Sequence, residues 1–425
     1  VAAFAVLLAA SALWYWLPRS GRETNLAKAS FTQLTNQPGE EYNPSLSPDG
    51  RSLVYASRAA GNWDICLQRV GGQNPVNLTR DSPEDDTQPV FSLDGDFIAF
   101  RSEREGGGIF VMGATGESAK RMTDFGYSPA WSPDGKEIVF ASHESDIPSS
   151  RGRMSALWAV TVANSEIRKV ATNLGDAVQP FWSPHGNRIA FWSILANDAD
   201  SVGQRDIWTV PAAGGEAIRV TKDPAIDWDP VWSPDGKHLY FSSDRGGSMN
   251  LWRLPIEEES GKVKGQPEPV TSGGGAATRQ HLSISRDGRS IAFVERIAKT
   301  NLQKVPFDPF KETVVGPSTW ITQGSRPVAG YDPSPDGEWV VFCNRGAAQE
   351  DLFLIRTDGT GERQITNDSA KDRAPHWSPD GKRIVFFSDR LTGRFQIWAI
   401  NPDGSGLQRL GETDQSVIGP VLSPD

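Results

Sequence analysis

One short turn returns at nearly even intervals along this chain, and no other feature limits the possible folds as much. Ser-Pro-Asp-Gly, or a close variant, begins at Ser47, Ser92, Ser132, Ser183, Ser233, Ser285, Ser334 and Ser378, and starts again at Ser423. Successive turns lie 45, 40, 51, 50, 52, 49, 44 and 45 residues apart. A period of about 40–50 residues is the length of a β-propeller blade. The residues suit a tight hairpin, because Pro234 pre-sets φ at the first corner and Gly236 takes a left-handed position without a Cβ clash.

The repeat keeps register as well as length. Six residues after each turn serine stands an aliphatic: Leu53, Ile98, Ile138, Ile189, Leu239, Ile291, Val340, Ile384. Eight residues after it stands an aromatic: Tyr55, Phe100, Phe140, Phe191, Phe241, Phe293, Phe342, Phe386. Positions of equal parity share one face of a strand, so every repeat offers the same apolar pair to a neighbour. A slip of one residue would turn both outward. No repeat can bury that face alone, and stacking is the remedy.

Each repeat holds four strand candidates. In the fifth they are 230–233, 238–242, 251–254 and 268–271. The third often carries a tryptophan (Trp158, Trp208, Trp252, Trp398), and the fourth often ends in threonine, as at Thr79, Thr123, Thr221 and Thr366. Phe31-Thr-Gln-Leu-Thr35 reads as a lone outer strand of that last kind. The sixth repeat is the most degenerate, with Asn301-Leu-Gln-Lys-Val305 in third place. The expected fold is therefore all-β: a propeller of four-stranded antiparallel blades over residues 31–425, with eight repeats visible and a ninth begun at 419–425. Whether all eight share one ring, or six or seven close and the rest begin another, stays open.

Net charge is −10 and no basic stripe occurs, so a nucleic-acid partner is not expected. Cys66 and Cys343 fall in different repeats and read as isolated core thiols. The five histidines sit in separate repeats without metal-ligand spacing, and no cofactor or metal site is expected. His185 takes the place of a turn aspartate and reads as structural. Asp358-Gly-Thr-Gly361 and Asp403-Gly-Ser-Gly406 lack a strand–loop–helix context and read as hairpin turns. No catalytic constellation emerges.

Residues 1–17 carry one polar side chain, Ser11, and no charge. As a helix they would reach about 26 Å, close to a bilayer core. Trp14, Tyr15 and Trp16 suit an interfacial belt, followed by Arg19 and Arg22. A single-pass transmembrane helix is the favoured reading, with 18–30 as linker. A signal-peptide apolar region with small residues at Ala9-Ala-Ser-Ala12, or a core helix, are the alternatives. Either of the first two places the propeller in the periplasm or extracellular space.

Trp-Ser-Pro-Asp-Gly, a following Lys or Arg, the aliphatic–x–aromatic strand, Ser-Asp-Arg and Ile-Trp together resemble the WD-like repeat of TolB-type β-propellers, over residues 31–425. The apolar stretch before them is similar to the layout of membrane-anchored bacterial sensor proteins. There a cytoplasmic Ser/Thr kinase or winged-helix domain precedes one membrane span and an extracytoplasmic propeller. That resemblance implies a non-catalytic module recognising a protein, peptide or small ligand. Prolyl-oligopeptidase-type peptidases carry a similar propeller, but their Gly-x-Ser-x-Gly elbow occurs nowhere here. The alternative is thus a propeller gating a hydrolase domain absent from these residues.

Candidate binding residues come from charges on the face opposite the tight turns. Three residues before the blade-opening proline stands an acid in four repeats: Glu41, Asp86, Asp227, Asp372. After the second strand stands an arginine: Arg58, Arg104, Arg245, Arg296, Arg345, Arg390. Two readings are open: these pair with one another, or they form a charged funnel, widened by insertions 142–153 and 194–205. Asp81, Glu84, Asp85 and Asp229 would tilt such a funnel toward a cationic partner. Under the funnel reading, removing Asp227 should change stability little.

Overall fold

The computed structural model describes residues 31–144, 154–170, 172–194, 205–223, 225–246, 248–272, 277–297, 299–324, 327–344, 350–368, 370–391 and 395–411. The expected transmembrane stretch 1–17 and linker 18–30 lie outside them. So do most of the two long insertions and the ninth repeat. Among the described residues no helix is long and apolar enough to cross a membrane.

Residues 31–36 form a unit apart from the body that begins at Gln37. The outer strand expected at Phe31–Thr35 is not formed. The Gln33 amide instead turns back onto the Thr35 carbonyl at 2.8 Å, a local bond in place of a ladder.

Within the body, the repeats become four-stranded antiparallel blades in seven cases of eight. Blade five is typical, with strands Asp227–Trp232, His238–Ser243, Asn250–Glu257 and Glu268–Pro269, plus a short extra strand at Lys262–Val263. Its turn is a closed circuit. Ser233 Oγ donates to Asp235 Oδ1 (2.6 Å), which also accepts Lys237 N–H (3.1 Å), while His238 N–H reaches Ser233 Oγ (2.9 Å). Gly236 carries φ of 69°, as the turn requires. In blade four His185 has replaced the aspartate, and Glu258 of blade five supplies a carboxylate across the gap, 2.6 Å from His185 Nδ1. That bond raises the His185 pKa.

The apolar register forms the core as expected. Seven of the eight aromatics are at most 2% exposed. Each packs across its strand against an apolar partner on the third strand: Tyr55 faces Cys66, Phe100 faces Phe110, Phe140 faces Trp158, Phe191 faces Trp208, Phe241 faces Trp252, Phe342 faces Phe353 and Phe386 faces Trp398. Such pairs are the unit of sheet stabilisation. The closing threonines hold the outer strand by accepting a third-strand N–H at Oγ1, as Thr221 does from Ile207 at 3.0 Å. Both cysteines are buried free thiols, and burial pushes Cys66 up to about 11.

The exception is repeat six, which divides. Its inner hairpin, Ala277–Ile284 with Ile291–Ile297, is a sheet of two strands. Its outer pair, Gln303–Lys304 with Thr319–Trp320, is another. Leu302 and Ile321 beside that outer pair pack with Val328, Val340 and Phe342 of blade seven. The counterpart of the cross-strand aromatic is here Gln303, so the apolar pair that joins second and third strands elsewhere is missing. Phe293 consequently remains half-buried. Gln303→Phe should restore the pair and draw the halves together. The check is hydrogen exchange of the Ile291–Ile297 amides, which should slow; unchanged exchange would mean that other contacts hold the blade open.

The ring question is answered by one recurring bond. Where the residue two places before a turn serine is Ser or Asp, its side chain accepts the N–H just before the next blade's turn serine. Ser45 accepts Phe91 N–H (3.1 Å) from blade one to two, and Asp332 accepts Trp377 N–H (2.8 Å) from seven to eight. Ser283 accepts Leu46 N–H (2.9 Å), which joins blade six to blade one. Repeats one to six therefore close on themselves, and seven and eight begin a second stack.

Candidate functional site

Each innermost strand carries a β-bulge, and it falls at the same place in every repeat. Four residues before the turn serine the backbone is left-handed: Asn43 (φ 51°), Gln88 (54°), Ser128 (53°), Gln179 (49°), Asp229 (58°), His281 (54°), Gly330 (45°) and Ala374 (43°). Non-glycine residues at such φ are strained, and bulges of this kind re-aim a side chain. The innermost strands of blades one to six neighbour one another around the closed ring. They therefore set six polar bulge residues about its axis, whereas the two blades outside the ring carry Gly and Ala.

Several of these side chains brace the ring. Gln88 Oε1 accepts Ser128 N–H at 2.6 Å. Asp229 Oδ2 accepts Leu282 N–H at 2.8 Å, and the His281 N–H also bonds this carboxylate. His281 Nδ1 in turn accepts Asn43 N–H at 3.4 Å. Gln179 stays within its blade and takes the Trp192 indole N–H. The surrounding protein raises the Asp229 pKa, against the pull of His281 and the two amides. His281 is 5% exposed, with Tyr42 and Trp228 edge-on at 5.6 and 6.0 Å. Its Nε2 has no partner among the described residues, and neither does Nε2 of the adjacent Gln280.

The charges expected to line a funnel lie elsewhere. Asp86, Asp227 and Asp372 are 0% exposed, each opposite a serine of the second strand. They pair with Arg104 (2.6 Å), Arg245 (2.6 Å) and Arg390 (2.8 Å). Each arginine lies over its blade's register aromatic: Phe100 at 5.8 Å, Phe241 at 5.1 Å and Phe386 at 5.7 Å. A second acid holds Arg245 and Arg390 from outside, Asp223 at 3.2 Å and Asp368 at 3.1 Å. The funnel expectation is corrected accordingly: these groups stitch strand ends together. Asp229 stands apart from them, at the bulge of its innermost strand, where its carboxylate accepts backbone amides of the next blade.

Arg58 follows its strand serine one residue too early for this motif and stands 5.9 Å over Trp63. Glu41 occupies the acid position opposite Ser57. Arg296 is on the inner hairpin of repeat six, opposite Thr278, and Arg345 lies outside the described residues. Of the six ring residues, only Asp229 is among the candidates read from the sequence. The available signal is a polar residue four places before the turn serine, followed by proline in Asn43, Gln88, Ser128, Gln179 and Asp229. Among the described residues no cluster of His, Cys, Asp or Glu could hold a metal ion.

Residues 24–151, 125–315 and 328–425 match the family model of the TolB beta propeller domain. An uncharacterised protein of Agrobacterium fabrum, Atu1656, is 28% identical over 176 residues, 41% of this chain and 56% of that protein. The uncharacterised peptidase YuxL of Bacillus subtilis is 25% identical over 208 residues, 39% of this chain and 31% of that protein. The aligned stretches thus span less than two thirds of either relative. The crystal structure of TolB from Acinetobacter baumannii aligns with a TM-score of 0.36 and 21% identity, covering 78% of this chain and 80% of that one.

Proposed function

The chain belongs to the TolB β-propeller domain family, and from that premise we propose that it is a non-catalytic recognition module whose binding surface is the axial ring. The carrying observation is the set of six polar residues in strained left-handed backbone, Asn43, Gln88, Ser128, Gln179, Asp229 and His281. Strain of this kind is retained where surrounding structure over-determines it, and it gathers at functional sites. The partner is a protein, a peptide or a small polar ligand. In a longer chain the module would serve as the extracytoplasmic sensor of a membrane-anchored signalling protein.

The test is a binding screen of peptides and neutral small molecules on the wild type, repeated on Asp229→Asn and His281→Gln. Gln88 already performs the bracing role from the same backbone conformation, so His281→Gln keeps the ring closed. Hits should weaken about tenfold or more on loss of one charge-assisted or buried bond. Hits that bind both variants as tightly as wild type would refute an axial site.

A second reading has one observation in its favour, the match of this chain to part of a peptidase, YuxL. There the propeller would gate a hydrolase domain. The gene on either side of these residues separates the two: a kinase or winged helix upstream supports the sensor, a Gly-x-Ser-x-Gly domain downstream the gate.

A further inference from the structure

Seven blades set their second strand between a first and a third, so both of its edges are paired. In repeat six the second strand, Ile291–Ile297, pairs only with the inner strand Ala277–Ile284. Among the described residues no backbone bond reaches its other edge. The repeat's own third strand is held away from it. Leu302 N–H bonds Thr322 Oγ1 at 2.8 Å, Val328 N–H of blade seven bonds the Thr300 carbonyl at 3.2 Å, and Leu302 packs into blade seven. An open edge is a template for another strand, and native chains blunt such edges with proline, charge or brevity. This strand runs seven residues, and Ile291-Ala-Phe-Val294 carries neither proline nor charge. Ile291 and Phe293 pack with Val231, Leu251 and Leu282, which fixes the strand on blade five.

The complete blades describe the strand that fits. Opposite the register aromatic they place another aromatic in six cases of seven, and two residues further on an aliphatic or methionine in six. Trp398 and Ile400, opposite Phe386 and Ile384, are typical. Charge decides the residue two places before that aromatic. Ten residues after the turn serine, the second strand ends in serine in six complete blades and in Asn344 in the seventh; repeat six has Glu295 there. Asp64 and Asp206 face that serine in blades one and four. An acid facing Glu295 would be repelled, and a lysine or arginine attracted. The Glu295 side chain is 43% exposed, although Arg279 of the inner strand holds it at 2.8 Å. We propose that the free edge of Ile291–Ile297 binds an extended peptide by strand addition, reading a basic residue, an aliphatic, an aromatic and, two places beyond, another aliphatic. Backbone bonds supply the affinity and alternate side chains the choice. This surface is separate from the axial ring and does not depend on it.

The experiment titrates the full chain into fluorescein-Gly-Ser-Lys-Ile-Trp-Ala-Ile-Asn-amide, which copies residues 396–401 with lysine in first place, and reads anisotropy. A second peptide has aspartate in place of that lysine. The lysine peptide should bind saturably and about fivefold tighter than the aspartate peptide, the worth of one facing charge pair. Glu295→Lys, a change at a half-exposed side chain, should invert that order. Hydrogen exchange of the wild-type complex should slow at the Ile291–Ile297 amides, which needs no variant. No saturable binding of either peptide overturns the proposal. Binding that slows amides elsewhere and leaves these unchanged overturns it too, for the peptide would then sit on another surface. An order of affinities that Glu295→Lys does not alter removes the charge reading and overturns the proposal as stated.

Discussion

Phe241→Ala should lose about 3–5 kcal/mol of unfolding free energy, whereas Phe293→Ala, at the same place in the next repeat, should lose about 1 kcal/mol. Phe241 is 0% exposed and sits in the cluster that joins blades three, four and five, with Leu239, Trp232 and Leu254. It also faces Trp252 across the strand and lies beneath the Arg245 guanidinium, 5.1 Å away. Truncation removes the transfer energy of the ring and leaves a cavity that packed strands on both sides cannot fill. Phe293 lacks a third strand beside it and is half-buried, so both terms shrink. Urea melts followed by circular dichroism and tryptophan fluorescence measure both. Equal losses in the two variants would mean that repeat six is a complete blade in solution.

This contrast marks where the sequence was legible. Turn spacing and the aliphatic–x–aromatic register are period-2 and period-blade signals, repeated eight times, and by themselves they describe the blade. Ring closure is different. It depends on single side chains: Gln303, where seven other repeats place an apolar residue, and Ser283, whose hydroxyl reaches Leu46. One repeat's side chain carries little weight against an eightfold pattern, so the division of repeat six was visible only as degeneracy. The site was less legible still. The acid and arginine positions could be read, but their burial could not, because exposure at a strand end depends on the loop folded over it, here through Asp223 and Asp368. The bulge is a backbone conformation without a residue signature of its own; Asn, Gln, Ser, Asp and His all occupy it. Only the recurrence of a polar residue four places before the turn hinted at it.

Asp227→Ala should cost about 3–5 kcal/mol, near the lower bound, where the funnel reading expects almost nothing. The magnitude does not come from the worth of the ion pair. Burial raises the Asp227 pKa to about 7 in spite of Arg245, so desolvation of this carboxylate outweighs the attraction. The loss comes from Arg245, whose side chain is 12% exposed and which, among the described residues, would keep only the partly exposed Asp223 as an ionic partner, beside the Ser243 hydroxyl. A cation that has lost its buried counter-charge is the expensive product. Removing both charges should therefore be gentler than removing one: Asp227→Ala with Arg245→Met should recover more than half of the loss. The pH dependence carries the same logic with a definite sign. With a folded pKa near 7 and an unfolded one of about 3.9, the native state holds a proton between those values that the unfolded chain has released. Stability from this group therefore falls as pH rises from about 4 to about 7, and is flat above. Asp227→Asn removes the titration while keeping an oxygen for Arg245, so the wild type should lose stability relative to it across that window. Chemical melts at pH 5 and pH 8 decide the matter. A wild type that gains on Asp227→Asn with rising pH, or a double variant worse than Asp227→Ala, would show the ionised pair itself to be the stabilising element.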